Sequence, residues 1–384
     1  MVLGDFDQNA WSFGLTRVRN ALDLLDHPER TYRHVLVGGT NGKGSTCIYL
    51  EQLLIRGGMK VGTTISPHVS FFEERFRIQG HLTDHAELES IRIRIEPTLS
   101  HLGLTYFEWC VVLAVVLFAE AKVDIGIFEV GLGGRYDAAN TLDPELSLIT
   151  DISRDHTQYL GTTIEQISRE KVEISRSGRP LITTASGEAL RVIRDHCHRI
   201  GAHLTEIVRP YEGPTGMKGS HQGRNAALAL KAMELLDVRL PGDDIVSALN
   251  SAFLPGRLEY IGDHIVLDVA HNPSSMVVLV QHLEAKGFSG VGVVGILADK
   301  EYEILVTLLK QVCSHLYIAQ VASERSWGGR EMEKIRDTGG ITRCESIPDA
   351  FSRALATGED IVVTGSFLTI GALRHCIICH ACIF

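Results

Sequence analysis

The chain has 384 residues, of which 45% are hydrophobic, and its formal net charge is −10. This length supports two α/β domains with separate cores, and the negative charge, without any Lys/Arg run, argues against a general nucleic-acid binder. The longest apolar run, residues 109–119, is about half as long as a bilayer-spanning helix and lies between Glu108 and Glu120, which predicts a buried helix and no membrane span.

The first residues and the cysteines indicate a cytoplasmic protein. Asp5 and Asp7 interrupt any basic and apolar leader, so secretion has no support. The eight cysteines are scattered, which favours reduced thiols over a disulfide framework. A metal site could be drawn at the end of the chain from His375, Cys376, Cys379, His380 and Cys382. A short terminal run without a second spaced pair is a weak zinc signal, so a docked or frayed tail is preferred.

Strands and helices alternate through the first part of the chain. Strands are predicted at 34–37, 61–65, 125–130, 146–152 and 181–184. Helices are predicted at 45–56, 84–99, 107–121 and 163–176. This alternation predicts a parallel sheet covered on both faces. Thr162 and Glu165 have the spacing of a capping box at the start of the helix that carries Lys171.

The second part of the chain repeats this alternation after a Gly/Pro-rich loop at 209–223 and helices at 225–236 and 243–253. Further strands are predicted at 265–269, 292–296, 317–321 and 361–364, with helices near 274–286, 300–314 and 348–357. We therefore expect an α/β protein of two doubly wound domains, residues 1–254 and 255–384, divided near Pro255.

A glycine-rich loop at residues 38–46 follows the first strand and opens a helix. Backbone N–H groups, the Lys43 ammonium and two hydroxyls in this order are typical of an ATP phosphate site. The ordinary P-loop pattern fails, because Val37 replaces its first glycine and Gly44 separates Lys43 from Ser45. The alternative from this segment alone is an incidental glycine turn.

The same loop resembles that of the Mur ligase superfamily, and further segments resemble its folate branch, the folylpolyglutamate synthase family. The likeness covers nearly the whole chain. In the first domain it lies in Ser66-Pro67-His68, Glu73-Glu74-Arg75-Phe76-Arg77, Thr105-Tyr106-Phe107-Glu108, Glu129-Val130-Gly131-Leu132-Gly133-Gly134-Arg135, Asp155-His156-Thr157 and Arg169-Glu170-Lys171. Later segments are His221-Gln222 with Asn225, Pro255-Gly256-Arg257, Asp268-Val269-Ala270-His271-Asn272-Pro273 and Asp299-Lys300.

This resemblance implies an N-terminal Mur-ligase-like ATPase domain with a pterin site and a smaller Rossmann-like C-terminal domain. It also implies a monomeric enzyme that uses ATP to phosphorylate an acceptor carboxylate, which the amine of L-glutamate then attacks. The expected acceptors are dihydropteroate and the γ-carboxylate of a reduced folate. The implied catalytic residues are Lys43, Glu129, His156 and Lys171.

Two magnesium ions are implied. Glu129 ends a predicted strand beside a glycine turn, where a carboxylate suits Mg²⁺, although a surface residue or helix cap is the plain alternative. The resemblance assigns the first ion to Ser66, Glu129 and His156, with the Ser45 hydroxyl close by. Histidine is an unusual magnesium ligand, and an Asp-His pair is more often structural.

Lys171 is implied to be carbamylated by CO₂ and so to hold the second ion as a carboxylate. From the sequence alone it would be a solvated lysine, because Glu170 and Glu173 flank it. Carbamylation needs the neutral amine, so the site should lower the lysine pKa. Val172 and Glu173 stand where the family has a small pair.

Nucleotide and acceptor contacts are also implied by the resemblance. The nucleotide residues are Thr40, Asn41, Gly42, Lys43, Gly44, Ser45, Asn225, Arg257, Asp268 and His271, and ATP is expected to bridge the domains. Helix capping by Asn225 or Asp268 and a surface ion pair of Arg257 are the alternatives. The acceptor residues are Ser12, Phe13, Gly14, Leu15, Thr105, Tyr106, Phe107, Glu108, Tyr136, Asp137 and Ala138. An aromatic pair can stack on a pterin, and a carboxylate can accept from its N–H groups, although core packing would explain Tyr106 and Phe107.

Two other functions stay open. Arg154, in place of an aliphatic residue, and a short loop before His221 leave room for a Mur-type ligase with a different acid as acceptor. A nucleotide switch without ligase activity would not need Glu129, His156 and Lys171.

Overall fold

A computed structural model describes residues 14–323 and 339–379. Ser12, Phe13, His380 and Cys382 lie outside these ranges. The chain divides into one unit up to Gly216 that resumes over Gln222–Phe253, and a second that contains Met217–His221 and the chain from Leu254 onward. The functional domain boundary between 254 and 255 remains a proposal.

The first unit is built on an eight-stranded sheet in the order β4-β3-β2-β5-β1-β6-β7-β8. Its strands are β1 Arg33–Gly38, β2 Val61–Thr64, β3 Phe76–Ile78, β4 His81–Leu82, β5 Ile125–Glu129, β6 Leu146–Ile149, β7 Pro180–Thr183 and β8 His203–Glu206. Strands β2, β5, β1, β6, β7 and β8 are neighbours in this order, and every pair of them is parallel. This confirms the predicted doubly wound sheet. The hairpin β3–β4 adds an antiparallel edge that the sequence did not predict.

Helices of the first unit follow the predicted pattern, with three additions. They are α1 Thr16–Leu24, α2 Lys43–Arg56, α3 His85–Leu99, α4 Tyr106–Glu120, α5 Thr157–Leu160, α6 Ile164–Lys171, α7 Gly187–Ile200, α8 Gln222–Leu235 and α9 Gly242–Ser251. Helices α1, α5 and α7 were not predicted. The predicted capping box was one residue too early, since the Thr163 hydroxyl accepts the Gln166 N–H and Gln166 reaches back to the Thr163 N–H.

The sheet is buried on both faces because its central strands are almost wholly apolar. Leu36 of β1 and Phe128 of β5 join the core that α4 fills, while Val35 and Val37 point to the opposite face and are equally buried. The apolar run 109–119 lies within α4, as predicted. No helix among the described residues is both long and apolar enough to cross a bilayer.

Phe118 of α4 is the centre of an aromatic cluster, and its removal should destabilise the first unit. Its ring centroid lies 6.1 Å from that of Tyr32 and 5.4 Å from that of Phe128, and the side chain is fully buried. We expect Phe118→Ala to lower the free energy of unfolding by about 3–5 kcal/mol in urea denaturation. Ile93→Ala is the control, because Ile93 is 58% exposed, and equal losses in both variants would contradict this assignment.

The second unit contains a six-stranded sheet in the order β13-β12-β11-β14-β10-β9. Its strands are β9 Glu259–Ile261, β10 Ile265–Leu267, β11 Gly290–Val294, β12 Cys313–Ala319, β13 Ile341–Cys344 and β14 Asp360–Thr364. Its helices are α10 Pro273–Ala285, α11 Tyr302–Leu309, α12 Ile347–Leu355 and α13 Phe367–Ile378. All pairs are parallel except β9 with β10, so a second doubly wound domain is confirmed.

The end of the described chain is docked on this sheet. The Arg374 guanidinium of α13 donates to the Glu259 carboxylate of β9 at 2.8 and 2.9 Å. Cys376 lies on the same helix, and the described residues contain no group of three His, Cys, Asp or Glu side chains arranged for a metal. The packing of α13 agrees with the predicted docked tail as far as Cys379, and the metal site drawn from the Cys/His run stays the alternative.

Candidate active site

The phosphate loop of residues 38–46 joins β1 to α2, as predicted. At two of its glycines, a residue with a side chain would clash with its neighbours. Gly39 has φ +136°, and a Cβ there would lie 1.8 Å from the Thr150 hydroxyl oxygen. Gly42 has φ +82°, and a Cβ there would lie 2.5 Å from the Asn225 amide oxygen. The loop thereby delivers Lys43 as the first residue of α2, whose first-turn N–H groups have no acceptor within the helix. Such an N-terminus favours a phosphate.

Glu129 lies beside this loop, at the end of β5. It pairs in register with Val37 of β1, is 6% exposed, and accepts the Ser66 N–H at 2.9 Å. Its other carboxylate oxygen is 3.9 Å from the Lys43 ammonium. The surface-residue and helix-cap alternatives are wrong, since the carboxylate is buried at the carboxyl edge of the sheet.

Lys171 ends α6 and points into the same region. The side chain is 5% exposed and donates to the Gly39 carbonyl at 2.8 Å, so the solvated-lysine alternative is wrong. Burial, reinforced by the positive charge of Lys43, lowers the pKa of Lys171 to about 7 against the opposing pull of Asp155 and Asp151. An amine with this pKa is largely neutral above neutrality, which is the form that reacts with CO₂.

The glycine turn at residues 131–134, which follows Glu129, lies close to the end of α6. A Cβ on Gly134 would lie 2.7 Å from the carbonyls of Glu170 and Lys171, and the Arg135 N–H donates to Glu170 O at 3.0 Å. Asp137 shapes the same turn by accepting the N–H groups of Leu132 and Ala139 at 2.9 and 3.0 Å. Burial raises the pKa of Asp137 to about 6. Tyr136 is half exposed, whereas Ala138 is buried.

His156 is the N-cap of α5 and has a left-handed conformation, with φ 50°. Its backbone N–H donates to the Asp155 carboxylate at 2.8 Å, and its ring is partly exposed. The Asp-His pair is therefore tied together locally, as its structural alternative supposes. The ring Nε2 also lies 4.0 Å from the Asp155 carboxylate, and a ligand role for His156 stays a prediction.

The oxygen donors near the phosphate loop suit Mg²⁺. The Glu129 carboxylate and the buried Ser45 hydroxyl are hard ligands, and Ser45 is oriented by the Gln222 amide at 3.4 Å. The described residues hold no cluster of three His, Cys, Asp or Glu side chains for a metal.

The predicted acceptor segment begins α4. Glu108 forms a capping box with Thr105 and a bidentate pair with Arg17, at 2.9 and 2.7 Å. Tyr106 is buried under the Arg75 guanidinium, 5.3 Å from its ring centroid, and burial raises the pKa of Tyr106 to about 12. Both side chains thus have partners within the protein, and their contact with a pterin stays a prediction.

Two arginines of this region were given no role in the sequence analysis. Arg17 stands outside every quoted motif, whereas Arg75 lies in the 73–77 segment that carries the family resemblance, without any sign that it would contact Tyr106. Among the other predicted acceptor residues, Phe107 packs against Gly131. Leu15 directly precedes α1, and Gly14 before it has φ +132°. Arg154 is exposed.

In the second unit, three predicted nucleotide residues lie at the carboxyl end of β10. Asp268 accepts the N–H groups of Leu258 and Ala270, both at 2.9 Å, and burial raises its pKa. Arg257 lies over the Phe367 ring at 5.0 Å, and the His271 ring centroid is 5.8 Å from that of Phe367. The Asp268 side chain holds a turn and caps no helix, and Asn225 is inside α8, where its amide donates to Gln222 at 3.0 Å.

Known proteins resemble the chain along its whole length. The family model of the Mur ligase middle domain matches residues 37–200, and that of the Mur ligase glutamate ligase domain matches residues 256–367. The dihydrofolate synthase/folylpolyglutamate synthase of Escherichia coli K12 is 33% identical, over 89% of this chain and 86% of its own.

Solved structures show the same likeness. E. coli FolC in complex with DHPP and ADP has a TM-score of 0.89 and 30% identity, over 98% of this chain and 96% of its own. A bifunctional folylpolyglutamate synthase/dihydrofolate synthase with Mn, AMPPNP and L-glutamate bound has a TM-score of 0.88 and 31% identity, over 98% and 97%.

Proposed function

Because the chain belongs to the dihydrofolate synthase/folylpolyglutamate synthase family of Mur ligases, we propose that it joins L-glutamate to folate-type acids at the expense of ATP. The acceptors are dihydropteroate and, for chain extension, the γ-carboxylate of a reduced folate. The observation that carries the proposal is the pair of part-buried Lys43 and buried Glu129, 3.9 Å apart, at the N-terminus of α2. This arrangement suits a triphosphate and a divalent cation.

The reaction has two steps. An oxygen of the acceptor carboxylate attacks the γ-phosphorus of ATP, so that the bond to ADP breaks and an acyl phosphate forms. The α-amine of glutamate then attacks the acyl carbon, phosphate leaves, and the amine loses a proton. Lys43 and the first-turn N–H groups of α2 neutralise the phosphate charge as it is transferred. Asn225, Arg257, Asp268 and His271 are proposed to contact the nucleotide.

Magnesium would be held by Glu129, Ser66, His156 and the Ser45 hydroxyl, with carbamylated Lys171 as ligand for a second ion. When bound, it supplies positive charge to the phosphate oxygens. The buried Glu129 carboxylate and Ser45 hydroxyl support this set. The carbamate is supported by the burial of Lys171 and its lowered pKa. The monomeric state and the cytoplasmic location also remain proposals.

Release of ADP tests this function. Purified protein with MgATP and glutamate should release ADP only when dihydropteroate or a reduced folate is added, and the product should be larger by one glutamyl residue in mass spectrometry. No release is expected without a divalent cation. ADP release that is indifferent to both pterins, or that requires another acid, would contradict the proposal and favour a Mur-type ligase with a different acceptor. A switch protein would bind ADP without forming any amide.

A further inference from the structure

The residues that follow β6 contact the phosphate loop at almost every position. The Thr150 hydroxyl donates to the Asn41 carbonyl at 2.6 Å, and the Thr150 N–H donates to the Gly38 carbonyl at 3.0 Å. The same hydroxyl is the group that a side chain at Gly39 would strike. The phosphate loop and the residues after β6 therefore pack closely and are hydrogen-bonded to each other, although 109 to 113 positions separate the partners in the chain.

Asp151 makes the central contacts. Its backbone carbonyl accepts the Thr40 N–H at 2.8 Å, and one carboxylate oxygen accepts the Asn41 N–H at 2.6 Å. The other carboxylate oxygen accepts the Asn41 side-chain amide at 3.3 Å. One residue thus takes three donors from two adjacent loop residues. Hydrogen bonds to a carboxylate are stronger than those between neutral groups, so this is the firmest part of the contact.

Ser153 completes the arrangement. Its N–H donates to the Thr40 hydroxyl at 3.0 Å, and that hydroxyl donates to the Ser153 carbonyl at 3.1 Å. The Ser153 hydroxyl in turn donates to the Asp151 carboxylate at 3.3 Å. The carboxylate is held on the strand side as well as on the loop side, which restricts it to the orientation that Asn41 requires.

These bonds change the roles of Thr40 and Asn41. Their backbone N–H groups point at Asp151, so they are not the groups that receive phosphate oxygens. The donors left for the phosphates are the first-turn N–H groups of α2, from Lys43 to Ser45, together with the Lys43 ammonium. We propose that Asp151 is a positioning residue: it holds Thr40 and Asn41 so that the N-terminus of α2 faces the nucleotide. This rests on the proposed nucleotide role of the loop.

Substitution of Asp151 tests this role through nucleotide affinity. We expect Asp151→Ala to raise the Kd of MgADP by about 10-fold to 100-fold, the effect of losing a hydrogen bond to a charged group. It should raise the KM for ATP and leave the KM for glutamate unchanged. Asp151→Asn keeps an oxygen for the Asn41 N–H and should bind MgADP within about fivefold of wild type.

The matched control is Asp124→Ala. Asp124 also accepts a backbone N–H, that of Lys60 at 2.6 Å, but it precedes β5 at the opposite edge of the sheet. Its loss should leave the Kd of MgADP unchanged. A folded Asp151→Ala protein with the wild-type Kd, or an equal rise in the Asp124→Ala protein, would overturn the proposal.

Amide hydrogen exchange of the wild-type protein tests the same idea without any variant. The amides of Thr40 and Asn41 should be protected before nucleotide is added, whereas those from Lys43 to Ser45 should gain protection only with MgADP. Rapid exchange of Thr40 and Asn41 that slows on MgADP addition would overturn the positioning role. If MgADP protects no amide of the loop, the nucleotide role fails, and the exchange of Thr40 and Asn41 alone still decides whether Asp151 holds them.

Discussion

Lys171→Ala is expected to lower the turnover number for glutamate ligation by roughly 100-fold to 1,000-fold, the range seen when one group that stabilises transferred charge is lost. The reason is that the buried lysine, converted to a carbamate, would be a ligand of the second magnesium ion near the phosphates. Lys60→Ala is the control, because Lys60 is exposed. A Lys171→Ala protein that ligates glutamate at more than about a fifth of the wild-type rate would exclude the carbamate.

A structural role alone could also explain a loss, because the Lys171 amine supports the Gly39 carbonyl. The carbamate itself is therefore to be detected. Wild-type protein in ¹³C-bicarbonate should show one carbamate carbon resonance that the Lys171→Ala protein lacks. The absence of this resonance from an active wild-type enzyme would assign Lys171 a supporting role only.

The lowered pKa of Lys171 predicts a pH dependence with a definite sign. Below about pH 7 the amine of the apo protein is protonated, so carbamate formation and activity should fall as pH falls through 7. Between about 7 and the ordinary lysine value of 10.5, the unfolded chain binds a proton that the folded chain does not. The contribution of Lys171 to the free energy of unfolding therefore rises with pH across this window, and Lys171→Met should remove that rise.

Lys43→Met is the second substitution with a large expected effect. The Lys43 ammonium, on the first residue of α2, donates to the Thr40 carbonyl at 3.1 Å and lies 3.9 Å from the Glu129 carboxylate. Its loss should lower kcat by roughly 100-fold to 1,000-fold. The Kd of MgADP should rise by about tenfold at most, because the charge that it stabilises develops during phosphoryl transfer.

Lys43→Arg distinguishes geometry from charge at the same position. The planar guanidinium cannot reproduce the point charge of an ammonium in a site where the side chain is 15% exposed. We expect this variant to recover less than a tenth of the lost rate. Full activity of Lys43→Arg, or a kcat of Lys43→Met within about fivefold of wild type, would remove Lys43 from the transfer step.

The amino-acid sequence by itself determined the α/β alternation, the strand-loop-helix order around Lys43 and the buried character of residues 109–119. Each of these depends on neighbours within a few positions: apolar periodicity, or glycines where the backbone has positive φ. The local signals became unreliable where two positions competed, as when Thr163 rather than Thr162 capped α6. They were silent for the short hairpin β3–β4, whose residues pair only beside β2.

Only the tertiary structure decided which partners the predicted site residues have within the protein. Arg17, 91 positions away in the sequence, pairs with the carboxylate of Glu108, whose contact with a pterin stays a prediction. Asp151, 110 positions away, accepts the N–H of Asn41, a residue predicted to contact the nucleotide. Lys171 looked solvated and is buried against Gly39. Burial and hydrogen-bond partners are set by contacts between distant segments, so the residue types were readable from the sequence, whereas their partners and charge states followed only from packing.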